Sequence, residues 1–237
     1  MNEQGSLKDK WILITGASKG LGREMALIFA EAGANLIVTA RTSELLEELN
    51  SIIVANGGEC IAVAGDLRDR TVLESVKSLC VDKQIDILVN NAGVVDITPL
   101  EGVSDERVDE VLELNLLIPI KLTKAVIGMF KARKSGVIVN VNSAGGKKPV
   151  PEHTIYCASK YGFNGFAETL KLEIKGLGIR IITVCPGKMA TELFNAAGRT
   201  MDTDAFISPG EVARGVFYML EMSPKCSHAE LNVDRMS

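Results

Sequence analysis

Short apolar runs rich in β-branched residues return along this chain at regular intervals, and they constrain its fold more than any other feature. They are Trp11–Ile14, Leu36–Thr39, Cys60–Ala64, Ile85–Val89, Val137–Val141 and Ile179–Val184. A strand with one wet face alternates polar and apolar residues, whereas a strand buried on both faces reads as a nearly continuous run. Between the runs lie amphipathic stretches of helical length, at about 20–32, 43–56, 69–82, 105–130 and 156–177. A further helix is expected at about 209–222, followed by an edge strand over Ala229–Val233. Strands alternating with helices predict βαβ units with right-handed crossovers. The expected fold is therefore α/β, a doubly wound Rossmann-like sheet of mostly parallel strands with helices on both faces. No break rich in proline, serine and charge divides the 237 residues, so residues 1–237 read as one domain.

Composition removes several function classes. A net charge of -4 with scattered cations gives no electrostatic footprint for nucleic acid and no polybasic membrane patch. No apolar run is long enough to span a bilayer, and Met1–Lys10 lacks the apolar core of a secretory signal. The five cysteines are odd in number and widely spaced, which suits a reducing compartment and gives no zinc site. The expectation is a cytoplasmic protein without a metal.

In a sheet of this kind ligands bind at the carboxyl ends of the strands, and the notable residues fall there. The first run leads into Thr15-Gly16-Ala17-Ser18-Lys19-Gly20-Leu21-Gly22 and then a helix. Glycines allow the tight turn and a close backbone approach to a pyrophosphate, whose charge a helix N-terminus favours. The spacing is G-x-x-x-G-x-G; by itself such a turn is weak, and its strand-turn-helix setting strengthens it. The second run ends at Ala40-Arg41-Thr42, with no acidic residue to accept from a ribose 2′-hydroxyl. Arg41 instead suits a 2′-phosphate, with Lys19 close by in the loop. The coenzyme expected is NADP(H); two solvated surface cations are the alternative. Asp66-Leu67 is placed to meet the adenine ring, and the small residues of Asn90-Asn91-Ala92-Gly93 let a ribose lie against the backbone.

Tyr156 and Lys160 stand four apart at the start of a helix and so share one face. A free phenol titrates near ~10 and is a poor acid–base catalyst at neutral pH. An ammonium and a nicotinamide cation nearby would lower that value. Ser143 closes the preceding strand, where its hydroxyl can hold a substrate carbonyl beside the phenol. In the stretch 105–130, Val108, Val111, Leu112 and Asn115 form one stripe, and an amide on a core-facing stripe needs partners or a function. Pro119 has no N–H to bond the Asn115 carbonyl, which predicts a kink that frees this carbonyl for a water leading to Lys160. A structural asparagine bridging two strands is the alternative.

Together these residues resemble the short-chain dehydrogenase/reductase family across nearly the whole chain. The resemblance implies about seven strands, a catalytic set of Asn115, Ser143, Tyr156 and Lys160, and Ser143 and Tyr156 in contact with substrate. It implies that Lys160 grips the nicotinamide ribose. It also places Pro186, Gly187, Met189 and Thr191 beside the nicotinamide, and pairing through the helices at 105–130 and 156–177, giving a homodimer or homotetramer. Within the family the chain is similar to 3-oxoacyl-carrier-protein reductases and related carbonyl reductases. It departs from the former at its end, Ala229–Ser237, which lacks their Gly-Gly tail and looks more like reductases of small hydroxy acids or aldehydes.

The expected reaction is hydride transfer between NADP(H) and a ketone, aldehyde or secondary alcohol, the substrate being a small molecule or a thioester. Oxidation of a small hydroxy acid is the alternative, and a non-catalytic NADP sensor a third reading that the four intact catalytic residues oppose. The segment 188–207 is expected to form a lid, with Met189, Leu193, Phe194, Phe206 and Ile207 walling an apolar pocket. Lys147, Lys148 and His153 fall at the entrance, either as a solvated loop or as attractors of an anionic substrate.

Overall fold

Residues 7–191, 206–223 and 229–234 are described in a computed structural model of the chain. Seven strands carry the apolar runs: β1 (Trp11–Thr15), β2 (Asn35–Ala40), β3 (Cys60–Ala64), β4 (Ile87–Asn90), β5 (Gly136–Val141), β6 (Ile179–Pro186) and β7 (Ala229–Val233). They pair in the order β3-β2-β1-β4-β5-β6-β7, every pair parallel. The order turns back between β1 and β4, so the crevice at the carboxyl ends of those strands is where a ligand is expected.

Helices cover both faces, which is why the runs do not alternate. Ile12, Ile14, Leu36 and Val38 point into one core with α1 (Gly20–Glu31), α2 (Ser43–Ala55) and α7 (Pro209–Glu221). Leu13, Ile37, Leu88 and Ile138 point into the other, with α3 (Arg70–Asp82), α5 (Ile118–Arg133) and α6 (Thr154–Glu173). Local chemistry sets the helix ends. Asp69 accepts from the Thr71 N–H at 2.7 Å to cap α3, and a Ser208–Glu211 capping box with Pro209 starts α7.

The stretch expected as one helix at 105–130 is divided. α4 (Asp105–Leu112) passes through a π-helical turn, Glu113–Leu117, into α5. The Ile118 N–H bonds the Glu113 carbonyl, five residues back, so the ladder has slipped by one residue just before Pro119. Proline could not have continued the ordinary i→i−4 pattern at Asn115. The disruption therefore takes the form of a π-bulge centred on Asn115. Helix α6 begins at Thr154 rather than Tyr156 and stops at Glu173, before Gly176 and Gly178, both at positive φ.

Candidate active site

The carboxyl ends of the strands open into a cleft of about 1130 Å³. At one end the turn after β1 uses its glycines for shape: Gly16 has φ 67 and Gly20 φ 52. A Cβ on Gly16 would lie 2.9 Å from the Ala92 Cα. Gly22 lies outside the cleft lining; a Cβ there would strike the Gly16 carbonyl and sit 2.6 Å from the Asn91 Nδ2. That amide in turn donates to the Thr15 and Gly16 carbonyls at 2.8 and 3.1 Å. The glycine turn, the start of α1 and the end of β4 thus form one rigid cradle of backbone, with the shape and polarity a dinucleotide pyrophosphate needs. Ser18, Lys19, Leu21, Arg41, Thr42, Asp66 and Leu67 also line the cleft, as does Gly93, where a Cβ would lie 3.7 Å from the Lys160 ammonium.

The charges around the second strand are paired, including Arg41 at the rim. Asp66 is gripped by the Arg68 guanidinium at 2.7 and 3.1 Å, which holds its carboxyl below the usual range. Glu110 receives Arg107 at 2.6 Å, with Arg68 at 3.6 Å and Arg41 at 3.9 Å. The Arg41 side chain remains 61% exposed at the cleft edge.

At the other end Ser143 leaves β5 with its hydroxyl accepting from the Gly145 N–H at 3.0 Å, and it lines the cleft together with Tyr156. Lys160 follows one turn on along α6. Its ammonium donates to the Val141 carbonyl at 3.1 Å and lies 5.9 Å from the Tyr156 ring centroid. Burial dominates both titrations: the phenol is pushed up to about 12, against the pull of the Ser143 hydrogen bond, and Lys160 is pushed down to about 8. The lowering of the phenol expected from Lys160 is not seen: burial raises it, and Ser143, not Lys160, is what pulls it down. A proton sits firmly on Tyr156 at neutral pH.

Asn115 is 1% exposed and does not line the cleft. Its amide accepts from the Val94 N–H and donates to the Val94 carbonyl, both at 2.9 Å, and donates to Ser159 at 3.1 Å. The side chain therefore clamps the segment after β4 onto α6, a structural bridge, while the π-bulge loosens the backbone around it. Asn115→Leu removes these partners and leaves buried polar groups unmatched. It should lower stability by about 2 kcal/mol and the melting temperature by roughly 4–8 °C, read by thermal unfolding.

Pro186, Gly187, Met189 and Thr191 all reach the cleft, with Thr191 packed against the glycine turn: its Cγ2 is 3.2 Å from where a Gly20 Cβ would be. The expected apolar wall is different. Ile207 pairs with Met189 in an isolated β-bridge and packs into the core beside α7, and Phe206 lies under the Lys188 ammonium. Neither lines the cleft: the bridge turns Ile207 into the core, and Phe206 is half-buried beside Lys188. Leu193, Phe194 and most of 188–207 lie outside the described residues. Apolar lining comes instead from Val94, Val95, Ile97 and Val150. Lys147 pairs with Glu230 on β7, and Lys148 does not line the cleft, whereas His153 does. Glu152, Lys188 and Asp234 also line it and were not anticipated. Only the topology, which brings β7 beside β6, could place Asp234 there. Among the described residues no helix is long and apolar enough to cross a membrane, and no cluster of His, Cys, Asp and Glu could hold a metal ion.

This sheet order, glycine cradle and Ser-Tyr-Lys group define a nucleotide-dependent oxidoreductase, and comparison with known proteins agrees. Residues 10–202 match the family described as short chain dehydrogenase. A 3-oxoacyl-[acyl-carrier-protein] reductase of Synechocystis sp. is 36% identical over 184 residues, covering 76% of this chain and 74% of its own. Among solved structures, a metagenomic short-chain oxidoreductase in complex with NADP superposes with a TM-score of 0.84 at 29% identity, covering 98% and 99% of the two chains. A short-chain dehydrogenase from Sphingobium yanoikuyae in complex with NADPH gives 0.85 at 28%, covering 95% and 87%. The chain belongs to the short-chain dehydrogenase family. It is an NAD(P)-dependent oxidoreductase acting on CH–OH and C=O groups of a small molecule.

Proposed function

We propose that the protein is an NADP(H)-dependent reductase of a small ketone or aldehyde, running also in reverse on the secondary alcohol. The observation that carries this is the buried phenol of Tyr156, which lines one cleft together with Ser143, Lys160 one helical turn away and the glycine cradle. The bound nicotinamide supplies or accepts the hydride. Ser143 donates to the substrate oxygen and fixes it beside the phenol. Tyr156, protonated at neutral pH, gives its proton to that oxygen as negative charge develops there. Lys160 then stabilises the phenolate, and its own proton is held more tightly once that neighbouring charge exists. The backbone of Asn115, loosened at the π-bulge, provides a carbonyl for the water that returns a proton to Lys160. Lys160 also holds the nicotinamide ribose.

NADP(H) rather than NAD(H) is supported by Arg41, exposed at the rim, and by the pairing of Asp66 and Glu110 with arginines, which leaves no unneutralised carboxylate at the ribose. The two solved relatives above hold NADP and NADPH. The polar residues Glu152, Lys188 and Asp234 favour a small polar substrate over a long acyl thioester. Leu117, Tyr161 and Leu172, exposed on the π-turn and α6, support pairing through that face. The free thiols of Cys60, Cys80, Cys157 and Cys185 suit the cytoplasm.

A panel of short ketones, aldehydes and alcohols, each assayed with NADPH and NADH by absorbance of the reduced coenzyme, tests the reading. Turnover of small carbonyls with NADPH at least tenfold above NADH in kcat/KM is expected, on the order of the factor one good charge-assisted contact provides. Binding of NADPH without turnover of any member would return the protein to the sensor class.

A further inference from the structure

His153 stands closest to the chemistry among the polar residues at the substrate end of the cleft. Its imidazole meets the Tyr156 ring edge-on, centroids 6.2 Å apart and planes at 66°. Its Nδ1 lies 2.7 Å from the Pro151 carbonyl oxygen. A carbonyl oxygen only accepts, so Nδ1 carries a proton, and in the tautomer this contact selects Nε2 is the acceptor. The backbone builds this arrangement. Glu152 sits at φ 63 in the left-handed region, which folds the chain back far enough for residue 153 to reach a carbonyl two residues earlier. A non-glycine residue is strained there, and such conformations persist where their surroundings over-determine them. Two carboxylates share this end of the cleft: Glu152 itself and Asp234, carried in from the far end of the chain by β7.

We infer that His153 determines substrate specificity: its Nε2 accepts a hydrogen bond from a hydroxyl on the carbon next to the reacting carbonyl. The substrates are then α-hydroxy ketones or aldehydes and, in reverse, vicinal diols. This rests on the role of Tyr156 proposed above. The carbonyl oxygen occupies the donors of Ser143 and Tyr156, so a group beside it meets the imidazole, whose free nitrogen can only accept. A hydroxyl satisfies that nitrogen. A methyl or methylene in the same place desolvates it without a partner.

Hydroxyacetone and butanone differ only by a hydroxyl in place of a methyl, and they make the test. Both are assayed with NADPH on the wild type, His153→Phe and His153→Gln. Phenylalanine keeps the ring against Tyr156 and removes the acceptor; glutamine restores one. The ratio of kcat/KM for hydroxyacetone over butanone should fall about tenfold in His153→Phe, through a loss for hydroxyacetone and no loss for butanone, which no longer desolvates an unpartnered acceptor, and recover in part in His153→Gln. The hydroxyl also activates the carbonyl intrinsically, but equally in all three proteins, so the change in ratio reports His153 alone. An unchanged ratio, or an equal fall for both ketones, overturns the assignment and leaves Tyr156 untouched. If the wild type binds NADPH, read by its fluorescence, yet turns over neither ketone nor propylene glycol, both readings fail together.

Discussion

Tyr156→Phe should lower kcat by about a thousandfold while changing the NADPH dissociation constant by no more than about threefold, within the range positioned proton transfer contributes. The phenylalanine ring fills the same space between Gly145, whose Cβ would be 3.2 Å from the Tyr156 Cε1, and His153, 6.2 Å away. Only the hydroxyl is removed, and with it the proton donor and the partner of Ser143. Burial that holds the phenol near 12 keeps the donor loaded at neutral pH. The same burial means that a phenolate left after transfer needs the Lys160 charge beside it, and burial has set Lys160 near 8, still mostly protonated at neutrality. Steady-state kinetics with NADPH fluorescence titration separates the two parameters. Retained turnover would show that the proton comes from elsewhere and would remove the basis of the catalytic reading.

What the sequence made legible follows the range of the interactions involved. The glycine turn, the Tyr156–Lys160 spacing and the strand runs are each encoded within a few residues, and periodicity or backbone sterics are enough to read them. The two-faced burial of β1 and β2, with Ile12 and Ile14 in one core and Leu13 in the other, is likewise visible as an unbroken run. Pro119 announced a disturbance near Asn115, because its missing N–H is local. That the ladder would slip into a π-bulge, and that the Asn115 side chain would clamp Val94 and Ser159, depended on packing between segments. The pairing of Lys147 with Glu230, the hub of three arginines at Glu110 and the entry of Asp234 into the cleft join residues far apart in the chain. Nothing local distinguishes those charges from solvated ones. The apolar wall was misplaced for a related reason: Ile207 packs into the core beside α7 instead of facing the cleft.

Position relative to the sheet explains why chemistry and coenzyme choice are separable in this fold. The proposed proton-transfer group, Ser143 with Tyr156, hangs from β5 and α6, and Arg41, proposed to meet the 2′-phosphate, follows β2, on the other side of the turning point in strand order. A change at one should leave the other largely intact, since sites without shared partners behave additively.

Arg41→Asp uses that separation, and it should raise the NADPH dissociation constant about a hundredfold while altering that of NADH by less than about threefold. Two unit charges some 5 Å apart in water interact by about 0.8 kcal/mol. Reversing a unit charge against a nearly dianionic phosphate changes four such pairings, about 3 kcal/mol in all, which is the stated factor. High exposure of Arg41, 61% of its side chain, makes the water value the appropriate one and makes the effect shrink with added salt. NADH lacks the phosphate, and the new carboxylate can accept from its 2′-hydroxyl, which offsets the lost cation. Fluorescence titration of both coenzymes at low and high ionic strength reads the difference directly. Equal weakening of the two would mean that Arg41 supports the adenosine site through its 3.9 Å contact with Glu110 rather than by meeting a 2′-phosphate, and the assignment of NADP(H) would fall with it.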